Sequence, residues 1–364
     1  MVFRADASLE MGTGHVMRCV ALAQAFREAG AHSRFICRML PGNLIDFILG
    51  CGFEVHKLPI EHQINENGEP PLLGHAAWLG ADWKTDADKT QDALVAGVVD
   101  WLIVDHYALD ARWERQLRPA CHRLMVIDDL ADRPHDCDML LDQNLGRDAE
   151  DYAARVPQHC TCLVGPHYAL LRPEFSELRE YSLRRREAPE LEQILISMGG
   201  VDKDNATSKV LEALKDVSLP HGCRVIVIMG AQAPWLEQVR AVAVTLPCPT
   251  EVRINIDDMA QVMANSDLAI GAAGSSSWER CCLGLPSIMV VLAANQQHIA
   301  KALNEQKAAV NLGSVGDTEF LNKLTRTLHR IIGEQGLLES MIKAAAAVTH
   351  GAGVKQTVRF MTCQ

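Results

Sequence analysis

The chain has 364 residues, more than one hydrophobic core usually serves, so two domains of ordinary size are expected. It carries 46 acidic and 35 basic residues, and the formal net charge of -11 argues against a general affinity for nucleic acid or anionic membranes. No apolar run reaches the roughly 18 residues that a membrane span needs. Arg4 and Asp6 interrupt the first apolar run, unlike a secretion signal. We therefore expect a soluble, cytoplasmic protein with neither a membrane nor a nucleic-acid partner.

The twelve cysteines are scattered through apolar segments, as Cys19, Cys37 and Cys223 illustrate. In a chain of this length, that distribution favours reduced thiols over the disulfide framework of a small secreted protein. Zinc is the alternative at His159-Cys160-Thr161-Cys162, but this cluster lacks a second ligand pair at finger-like spacing. We predict neither a metal nor another cofactor.

The first half alternates short runs rich in Val, Ile and Leu with longer amphipathic stretches, which is typical of a parallel sheet covered by helices. A helix is predicted over residues 16–30, and Gly30 marks its end. Residues 61–92 are rich in Gly, Pro, Asp and polar residues, and we interpret them as an irregular insertion near a cleft. The predicted strands cover residues 34–40, 53–58, 101–105, 124–128 and 139–142.

A second α/β series follows the charged segment 177–193, which contains Pro189 and is interpreted as the end of the first domain and a linker. The predicted architecture is two Rossmann-like α/β domains, residues 1–186 and 187–364, with the last helix packing back on the first domain. The cleft between the domains is the expected ligand site. The predicted strands of the second series cover residues 193–200, 224–230, 267–274 and 287–291.

The loop Gly12-Thr13-Gly14-His15 follows the apolar start of the chain and precedes the first helix. The positive end of a helix dipole favours the neutral imidazole, so His15 is a candidate general base. A histidine that only caps the helix explains the same residues, because nucleotide loops, turns and caps all use glycine pairs. The residues alone leave both interpretations open.

A first candidate phosphate loop lies in 197-SMGGVDKDNAT-207, where Gly199 and Gly200 follow a strand and a helix opens at about Asn205. A diphosphate can approach backbone N–H groups at such a helix start. A tight structural turn is an equally good explanation.

A second candidate loop lies in 271-GAAGSSSWERCCLGLPS-287. Residues 274–277 supply small hydrogen-bonding groups at the start of a helix, and the Glu279 carboxylate can accept hydrogen bonds from both hydroxyls of a ribose. In the alternative, the serines cap the helix and Glu279 stabilises its dipole. Polar residues after strands of the first half indicate one wall of a polar site, at 105–110, 128–138, 142–146 and 168–175.

The run 255-NIDDMAQVMANSDLAIGAAGSSSWERCCLGLPSIMVV-291, followed by 295-NQQHIAKALNEQKAAVNLG-313, resembles the C-terminal donor domain of two-domain nucleotide-sugar glycosyltransferases. The similarity is greatest to the lipid II-forming N-acetylglucosaminyltransferases and implies a GT-B-type architecture. It implies that Ile256 lies beside uracil and that Glu279 holds the ribose. The remaining implied contacts are Gly274, Ser275 and Ser276 with the diphosphate, and Gln296 and Gln297 with the sugar.

The rest of the chain is similar to one narrower family, the UDP-2,4-diacetamido-2,4,6-trideoxy-β-L-altropyranose hydrolases of the pseudaminic acid pathway. The motifs that carry this resemblance keep their order: RADASLEMGTGHVMRC from Arg4, IVDHY from Ile103, IDDLADRPHDCDMLLDQN from Ile127, YALLRPEF from Tyr168 and SMGGVDKDNAT from Ser197. The resemblance implies a UDP-sugar substrate, metal-independent attack of water on the anomeric carbon with inversion, and His15 as the general base. It also implies that the free sugar passes to a nonulosonic acid synthase.

The same resemblance implies further substrate-binding positions in the motifs, with Asp6 and Arg18 also shaping the loop that carries His15. These positions are Asp6, Gly14, Tyr107, Asn144, Arg172 and Gly200. UDP is a good leaving group, so one base suffices where ordinary glycoside hydrolysis uses two carboxylates.

Two other functions are weighed against hydrolysis. A glycosyltransferase with a lipid or protein acceptor predicts a membrane-facing patch, but the first half offers no continuous apolar helix. A nucleotide-sugar-binding module without catalysis would keep Glu279 and the 274–277 turn but would have no use for His15. We therefore favour the hydrolase.

Overall fold

The computed structural model describes residues 1–61, 73–94, 97–230 and 233–362. The chain folds into two compact α/β units. Unit 1 comprises Met1–Leu170 and Gly353–Gln364, and unit 2 comprises Leu171–Ala352. Each unit is a parallel sheet with flanking helices, which confirms the predicted class of two Rossmann-like domains. Within the described ranges, no helix is both long enough and apolar enough to span a bilayer.

Unit 1 is built on a seven-stranded sheet. Its strands are β1 (Val2–Ala5), β2 (Arg34–Arg38), β3 (Glu54–Leu58), β4 (Val99–Asp105), β5 (Cys121–Ile127), β6 (Met139–Asp142) and β7 (Thr161–Val164). Its first helices are α1 (Gly14–Glu28), α2 (Ile45–Gly50), α3 (Trp83–Ala93) and α4 (Ala111–Leu117). The strand order is β3-β2-β1-β4-β5-β6-β7, so the direction of winding reverses between β1 and β4. A reversal of this kind leaves a crevice at the carboxyl ends of the two strands.

Apolar side chains cover both faces of this sheet, as a parallel sheet requires. Phe3 and Ala5 of β1 belong to one buried cluster together with Phe26 of α1. Val2 belongs to a second cluster together with Trp113 of α4. Successive residues of β1 therefore alternate between the two cores.

Unit 2 repeats the plan with six strands. They are β8 (Gln193–Ser197), β9 (Arg224–Met229), β10 (Thr250–Ile254), β11 (Leu268–Ala272), β12 (Ser287–Val291) and β13 (Ala309–Ser314). The helices are α5 (Pro173–Glu177), α6 (Arg179–Arg185), α7 (Ala206–Leu214), α8 (Leu236–Ala243), α9 (Met259–Asn265), α10 (Ser276–Cys282), α11 (Gln297–Glu305), α12 (Phe320–Gly333) and α13 (Leu337–Val348). The strand order β10-β9-β8-β11-β12-β13 reverses between β8 and β11.

The last helix, α14 (Gly353–Thr362), belongs to unit 1. Its Val354 and Met361 are buried in the same apolar cluster as Val16 and Phe26 of α1. The bare backbone of Gly353 allows a close approach, because a Cβ there would lie 2.3 Å from the carbonyl oxygen of Ala169.

Four strands were not predicted from the sequence, and three of them lie at the edges of their sheets. β7, β10 and β13 are only partly buried, so their sequences mix polar and apolar residues instead of forming an apolar run. The fourth, β1, is short and contains the buried cation Arg4.

Two predicted irregular segments contain regular structure. Residues 62–72 of the predicted insertion lie outside the described residues, but residues 83–93 form α3, so an irregular insertion over 61–92 is wrong for this part. The predicted linker contains α6, and the segment packs with unit 2 through the Arg179 guanidinium, which donates to the carbonyls of Ala346 and Thr349. The division between units falls after Leu170 and not at the predicted 186/187 boundary.

The carboxylate of Asp86 fixes α3 to the sheet. Oδ2 lies 2.6 Å from a guanidinium nitrogen of Arg4 and 2.6 Å from one of Arg38, and Oδ1 accepts a hydrogen bond from the Trp113 indole at 3.0 Å. Both arginines and Asp86 are fully buried. Burial by itself raises the pKa of Asp86, but the guanidinium groups outweigh it and hold that pKa well below its usual range. The helix missing from the prediction is thus held by buried charge as well as by apolar packing.

The substitution Asp86→Ala should lower the free energy of unfolding by about 3–5 kcal/mol, because the buried Arg38 loses its carboxylate partner and the buried Arg4 loses one of two. The control is Asp88→Ala on the exposed face of α3, where Asp88 pairs with Lys84, and its cost should stay below about 1 kcal/mol. Urea unfolding followed by far-UV circular dichroism measures both losses. Equal losses would contradict the role given to Asp86.

Asp142, the last residue of β6, is a buried carboxyl group. The Tyr152 hydroxyl donates to Oδ2 at 2.9 Å, the backbone N–H of Asn144 donates to Oδ1 at 2.8 Å, and the nearby Arg147 Nε is 3.9 Å from Oδ2. Burial, together with the neighbouring charge of Asp129, raises the pKa of Asp142 to about 7. This carboxyl therefore titrates near neutral pH in the folded protein.

Because the folded-state pKa exceeds the unfolded value of 3.8, the stabilising contribution of protonated Asp142 is lost as the pH rises through about 7. The asparagine of the Asp142→Asn variant resembles a protonated Asp142 and does not titrate. The free energy of unfolding of this variant, relative to that of the wild type, should therefore rise by about 2–3 kcal/mol between about pH 5 and pH 8. Urea unfolding at both pH values tests this, with Asp46→Asn on the exposed face of α2 as the control. Parallel pH profiles for wild type and Asp142→Asn would refute the assignment.

Candidate active site

His15 is the second residue of α1, so its predicted position at a helix start is confirmed. Gly12 adopts φ 77°, a conformation that favours glycine, where the chain turns from the loop toward the helix. The His15 side chain is nearly buried, and its Nδ1 lies 2.5 Å from Oδ1 of Asp105. Asp105 ends β4 and pairs in register with Ala5 of β1, so the reversal of strand order brings this carboxylate beneath the loop.

Arg18 holds the Asp105 carboxylate from a second side. Its Nε donates to Oδ2 at 2.6 Å and its Nη2 donates to Oδ1 at 2.7 Å, which is a bidentate pair. His15 and Arg18 are three residues apart on α1 and so lie on one face of the helix. Burial by itself raises the pKa of Asp105, but Arg18 and His15 outweigh it and hold that pKa well below its usual range.

An ionised Asp105 can only accept hydrogen bonds, so the short contact makes Nδ1 of His15 the protonated nitrogen. In the neutral ring, Nε2 then carries the lone pair. A histidine oriented in this way can take a proton through Nε2, and the buried carboxylate stabilises the imidazolium that forms. The contact with Asp105 therefore favours the general-base interpretation of His15 over a helix cap.

Tyr107 and Asn144 lie near this pair, with Asp129 between them. The rings of His15 and Tyr107 meet edge to face with centroids 4.6 Å apart, and the negative charge of Asp129 acts on the Tyr107 phenol. Arg18 Nη1 donates to Asp129 Oδ2 at 2.9 Å, and Asn144 Nδ2 donates to the Asp129 carbonyl at 3.1 Å. Burial raises the pKa of Tyr107 well above its ordinary value, so the phenol stays protonated. Gly14, the first residue of α1, precedes the histidine directly.

Asp6 does not face a ligand, which corrects the prediction that it binds substrate. Its carboxylate is fully buried, accepts the Arg38 backbone N–H at 2.6 Å and lies 2.8 Å from Arg4 Nη1. His106 Nε2 is 3.5 Å from the other oxygen. Asp6 instead stabilises the interior beneath the loop, in line with its predicted shaping role.

In unit 2 the corresponding crevice lies at the ends of β8 and β11, where Ser197 pairs with Gly271. A Cβ on Gly271 would lie 2.7 Å from both the Ser197 carbonyl oxygen and Nη1 of Arg280, so only glycine fits. The Gly200 loop is similarly close to Gly230, where a Cβ would lie 2.1 Å from the Gly200 carbonyl oxygen. Both predicted phosphate loops therefore begin at tightly packed strand ends.

The serines after Gly274 do not cap α10. Ser275 occupies the N-cap position without a side-chain cap bond, and the hydroxyls of Ser276 and Ser277 instead accept hydrogen bonds from Arg280 at 3.4 and 3.0 Å. The capping alternative is therefore wrong for these side chains. Ser275 is exposed and Ser276 is half-buried, so both can meet a ligand.

Glu279 is a half-buried carboxylate, and among the described residues it forms no ion pair within 4 Å. Burial raises the pKa of Glu279, and the neighbouring charges of Arg172 and Arg280 oppose that rise. Arg172 was predicted to act from the first half, but it belongs to unit 2, where its Nη1 lies 3.0 Å from Glu174. Arg172 and Glu279 therefore form one electrostatic group.

The helix start after Gly200 is already satisfied by protein. The Asp202 carboxylate is buried and accepts the backbone N–H groups of Ala206 and Thr207 at 2.8 and 2.9 Å. A diphosphate cannot bind these two groups while Asp202 caps the helix, so that predicted contact is wrong. Gly200 itself is exposed and remains a candidate.

The other predicted unit 2 residues follow the ends of β10 and β12. Ile256 is half-buried just after β10, and Gln297 is the exposed first residue of α11. The Gln296 side chain accepts the Leu292 N–H at 2.9 Å, and its Nε2 would lie 3.8 Å from a Cβ on Gly274. These residues follow the carboxyl ends of parallel strands, the edge at which ligands bind in such sheets.

Cys160 of the cluster considered for zinc lies close to a thiol from outside that cluster. Cys137 Sγ and Cys160 Sγ lie 3.5 Å apart, well beyond a disulfide bond. In the part of the chain that the structure describes, no group of three or more His, Cys, Asp or Glu side chains is arranged to hold a metal ion.

Sequence reasoning missed Asp105, Asp129 and Arg280 as individual functional candidates. Asp105 was signalled by its place at the end of a predicted strand, but its partner could be identified only once β4 was known to lie beside β1. His75 was also missed, although its ring centroid lies 5.3 Å from that of Tyr107. No motif marks His75, which lies within the segment 61–92 that the sequence predicted to be irregular.

The chain is similar to several known proteins. Residues 193–357 match the model of the glycosyltransferase family 28 C-terminal domain. The chain is 25% identical over 318 residues to the UDP-2,4-diacetamido-2,4,6-trideoxy-beta-L-altropyranose hydrolase of Campylobacter jejuni, covering 87% of this chain and 97% of that protein. It is 30% identical over 191 residues to the spore coat polysaccharide biosynthesis protein SpsG of Bacillus subtilis, covering 52% of this chain and 55% of that protein.

Among solved structures, MurG of Acinetobacter baumannii aligns with a TM-score of 0.67 and 17% identity, over 100% of this chain and 99% of that one. At this identity the alignment establishes the fold. The chain thus has the GT-B fold of two Rossmann-like domains, and its family 28 match over residues 193–357 relates it to enzymes of nucleotide-sugar chemistry.

Proposed function

We propose that this protein hydrolyses a UDP-linked 2,4-diacetamido-2,4,6-trideoxy sugar of the β-L-altropyranose series to UDP and the free sugar. The observation that carries the proposal is the buried contact between Nδ1 of His15 and Asp105, which leaves Nε2 of the neutral ring able to accept a proton. The similarity to a hydrolase of this name over most of the chain supports this choice of reaction and substrate.

In the proposed reaction, Nε2 of His15 takes a proton from a water molecule as the water oxygen attacks the anomeric carbon. The bond between that carbon and the phosphate oxygen of UDP breaks, and UDP leaves with the electron pair. Asp105 stabilises the imidazolium, which afterwards releases its proton to solvent. A single attack from the opposite face inverts the anomeric configuration.

We propose that unit 2 holds the nucleotide. Glu279 accepts hydrogen bonds from the ribose, the turn at Gly274, Ser275 and Ser276 donates to the diphosphate, and Ile256 packs on the uracil. The lack of an ion-pair partner for Glu279 within 4 Å among the described residues supports its part, because a carboxylate without a partner remains available as an acceptor. The free sugar would then be consumed by a synthase that condenses it with phosphoenolpyruvate.

The rival proposal is a glycosyltransferase, which the family 28 match and the GT-B fold support equally well. It differs in one respect that can be measured, because a transferase needs an acceptor hydroxyl in place of water. The deciding assay therefore omits any acceptor.

We expect the purified protein, incubated with the UDP-diacetamido sugar alone, to release UDP and a free sugar that first appears as the inverted anomer. Proton and phosphorus NMR follow both products, and in ¹⁸O-labelled water the label should enter the sugar and not UDP. His15→Ala should still bind UDP but should lose turnover. Release of UDP that depends on an added acceptor would replace hydrolysis by transfer, and unchanged turnover in His15→Ala would remove His15 from the mechanism.

Asp105→Asn should lower kcat by about 10³- to 10⁴-fold with little change in KM, as expected when the carboxylate that orients a catalytic histidine is removed. In addition, ¹⁵N NMR should show that the neutral His15 ring of the wild type carries its proton on Nδ1 and that the variant loses this preference. Asp100→Asn is the matched control, because Asp100 is an exposed residue of the same strand. A kcat for Asp105→Asn close to that of the control would exclude a role for the pair in catalysis.

A further inference from the structure

Arg280 of α10 is a buried cation that has no carboxylate partner among the residues described by the structure. Its side chain is almost inaccessible, and its Nη2 donates to the Ala272 carbonyl at 2.8 Å and to the Ser277 hydroxyl at 3.0 Å. Its Nη1 donates to the Ser276 hydroxyl at 3.4 Å, and its Nε finds no hydrogen-bond partner in the described part of the chain. Over the described ranges, no Asp or Glu oxygen lies within 4 Å of this guanidinium. Burial lowers the pKa of Arg280 to about 10, so the group is still charged at neutral pH.

Other buried arginines of the chain are compensated. Arg4 is paired with Asp86 at 2.6 Å, and Arg133 is paired with Asp128 at 2.8 Å. Arg186 also lacks a carboxylate within that distance among the described residues, but it donates to the carbonyls of Met263 and Ala264 at the end of α9. The negative end of the helix dipole stabilises that cation. Arg280 belongs to the last turn of α10, but its guanidinium reaches back toward the positive end of that helix, where it meets the hydroxyls of Ser276 and Ser277.

The position of this cation indicates where its counter-charge comes from. Nη1 lies over Gly271, which pairs with Ser197 at the reversal of strand order. The Gly200 loop leaves β8 at this point, and the Gly274 loop leaves β11. Buried charges in proteins are generally paired, and an ion pair that is incomplete in the protein can be completed by a ligand of opposite charge.

We propose that Arg280 is a positioning residue for the phosphates of the bound nucleotide, whose negative charge completes its ion pairing; this rests on the nucleotide assignment of the proposed function. The Ser276 hydroxyl transmits the effect. Because its oxygen accepts from Arg280, its hydrogen is free to donate outward, where the half-buried side chain reaches the surface. Arg280 thus orients and polarises the loop from beneath.

The test compares the affinities of UDP, UMP, uridine and inorganic pyrophosphate by calorimetry, with competition for the weak ligands. Arg280→Met should lower the affinity for UDP by about 10- to 100-fold, the range of a charge-assisted hydrogen bond. It should lower the affinity for UMP less and should leave the affinity for uridine unchanged. Arg280→Lys should recover much of the loss. The matched control is Arg326→Met, which removes the same charge from the exposed surface of unit 2 and should change none of the affinities.

An equal loss of affinity for UDP and for uridine in Arg280→Met would overturn the proposal, because a general structural defect weakens both ligands regardless of how many phosphates they carry. If the substitutions prevent folding, the Nε–H resonance of Arg280 in the ¹⁵N-labelled wild type takes their place. It should shift with UDP and pyrophosphate but not with uridine, and an unmoved resonance would overturn the proposal. A wild type that binds pyrophosphate but not UDP would refute the uridine assignment alone, whereas one that binds neither would refute both.

Discussion

The Asp105 carboxylate holds together the functional end of unit 1. It is fully buried, yet it stays ionised because Arg18 binds it with two hydrogen bonds and His15 with a third. If this anion were neutral, Arg18 would be a buried cation with less compensation and the His15 ring would lose its fixed orientation. The same pairing therefore stabilises the fold and orients the His15 ring, and the two effects cannot be varied independently at this position.

The two units share one topological feature but differ in the charges that surround it. Each sheet reverses its strand order once, between β1 and β4 or between β8 and β11, and each reversal has an arginine beside it. In unit 1, Arg18 is neutralised by carboxylates of the protein. In unit 2, Arg280 is surrounded by a carbonyl and by serine hydroxyls. The first arrangement orients an imidazole with its Nδ1–H toward a carboxylate, and the second leaves a buried guanidinium with no carboxylate within 4 Å among the described residues.

Sequence patterns predicted the features that depend on residues adjacent in the chain, such as helix starts and central strands. The helix start at His15 could be predicted from Gly12 and Gly14, and central strands such as β8 and β11 from their apolar runs. What failed depends on contacts between distant residues: Asp105 beside His15 requires the strand order, and the Asp202 cap requires the loop conformation.

Amino-acid composition led to a wrong prediction where a polar segment is held in a helix by buried ion pairs. Residues 83–93 look like part of a loop because they are rich in polar residues, but Asp86 turns inward to meet Arg4 and Arg38. Arg172 was assigned to the first half by its place in a motif, but the chain has already entered unit 2 at Leu171. A motif specifies an order of residues, and the contacts of the folded chain decide the unit to which each residue belongs.

The return of the chain to unit 1 through α14 has a consequence for biosynthesis. Unit 2 is one continuous segment, whereas unit 1 needs the Gly353–Thr362 helix to cover the apolar side chains of α1. On the ribosome, unit 2 therefore has its complete sequence before unit 1 does, although unit 1 emerges first. Until α14 is made, the apolar face of α1 remains uncovered, and a chain interrupted shortly before Gly353 would carry a complete unit 2 and an incomplete unit 1.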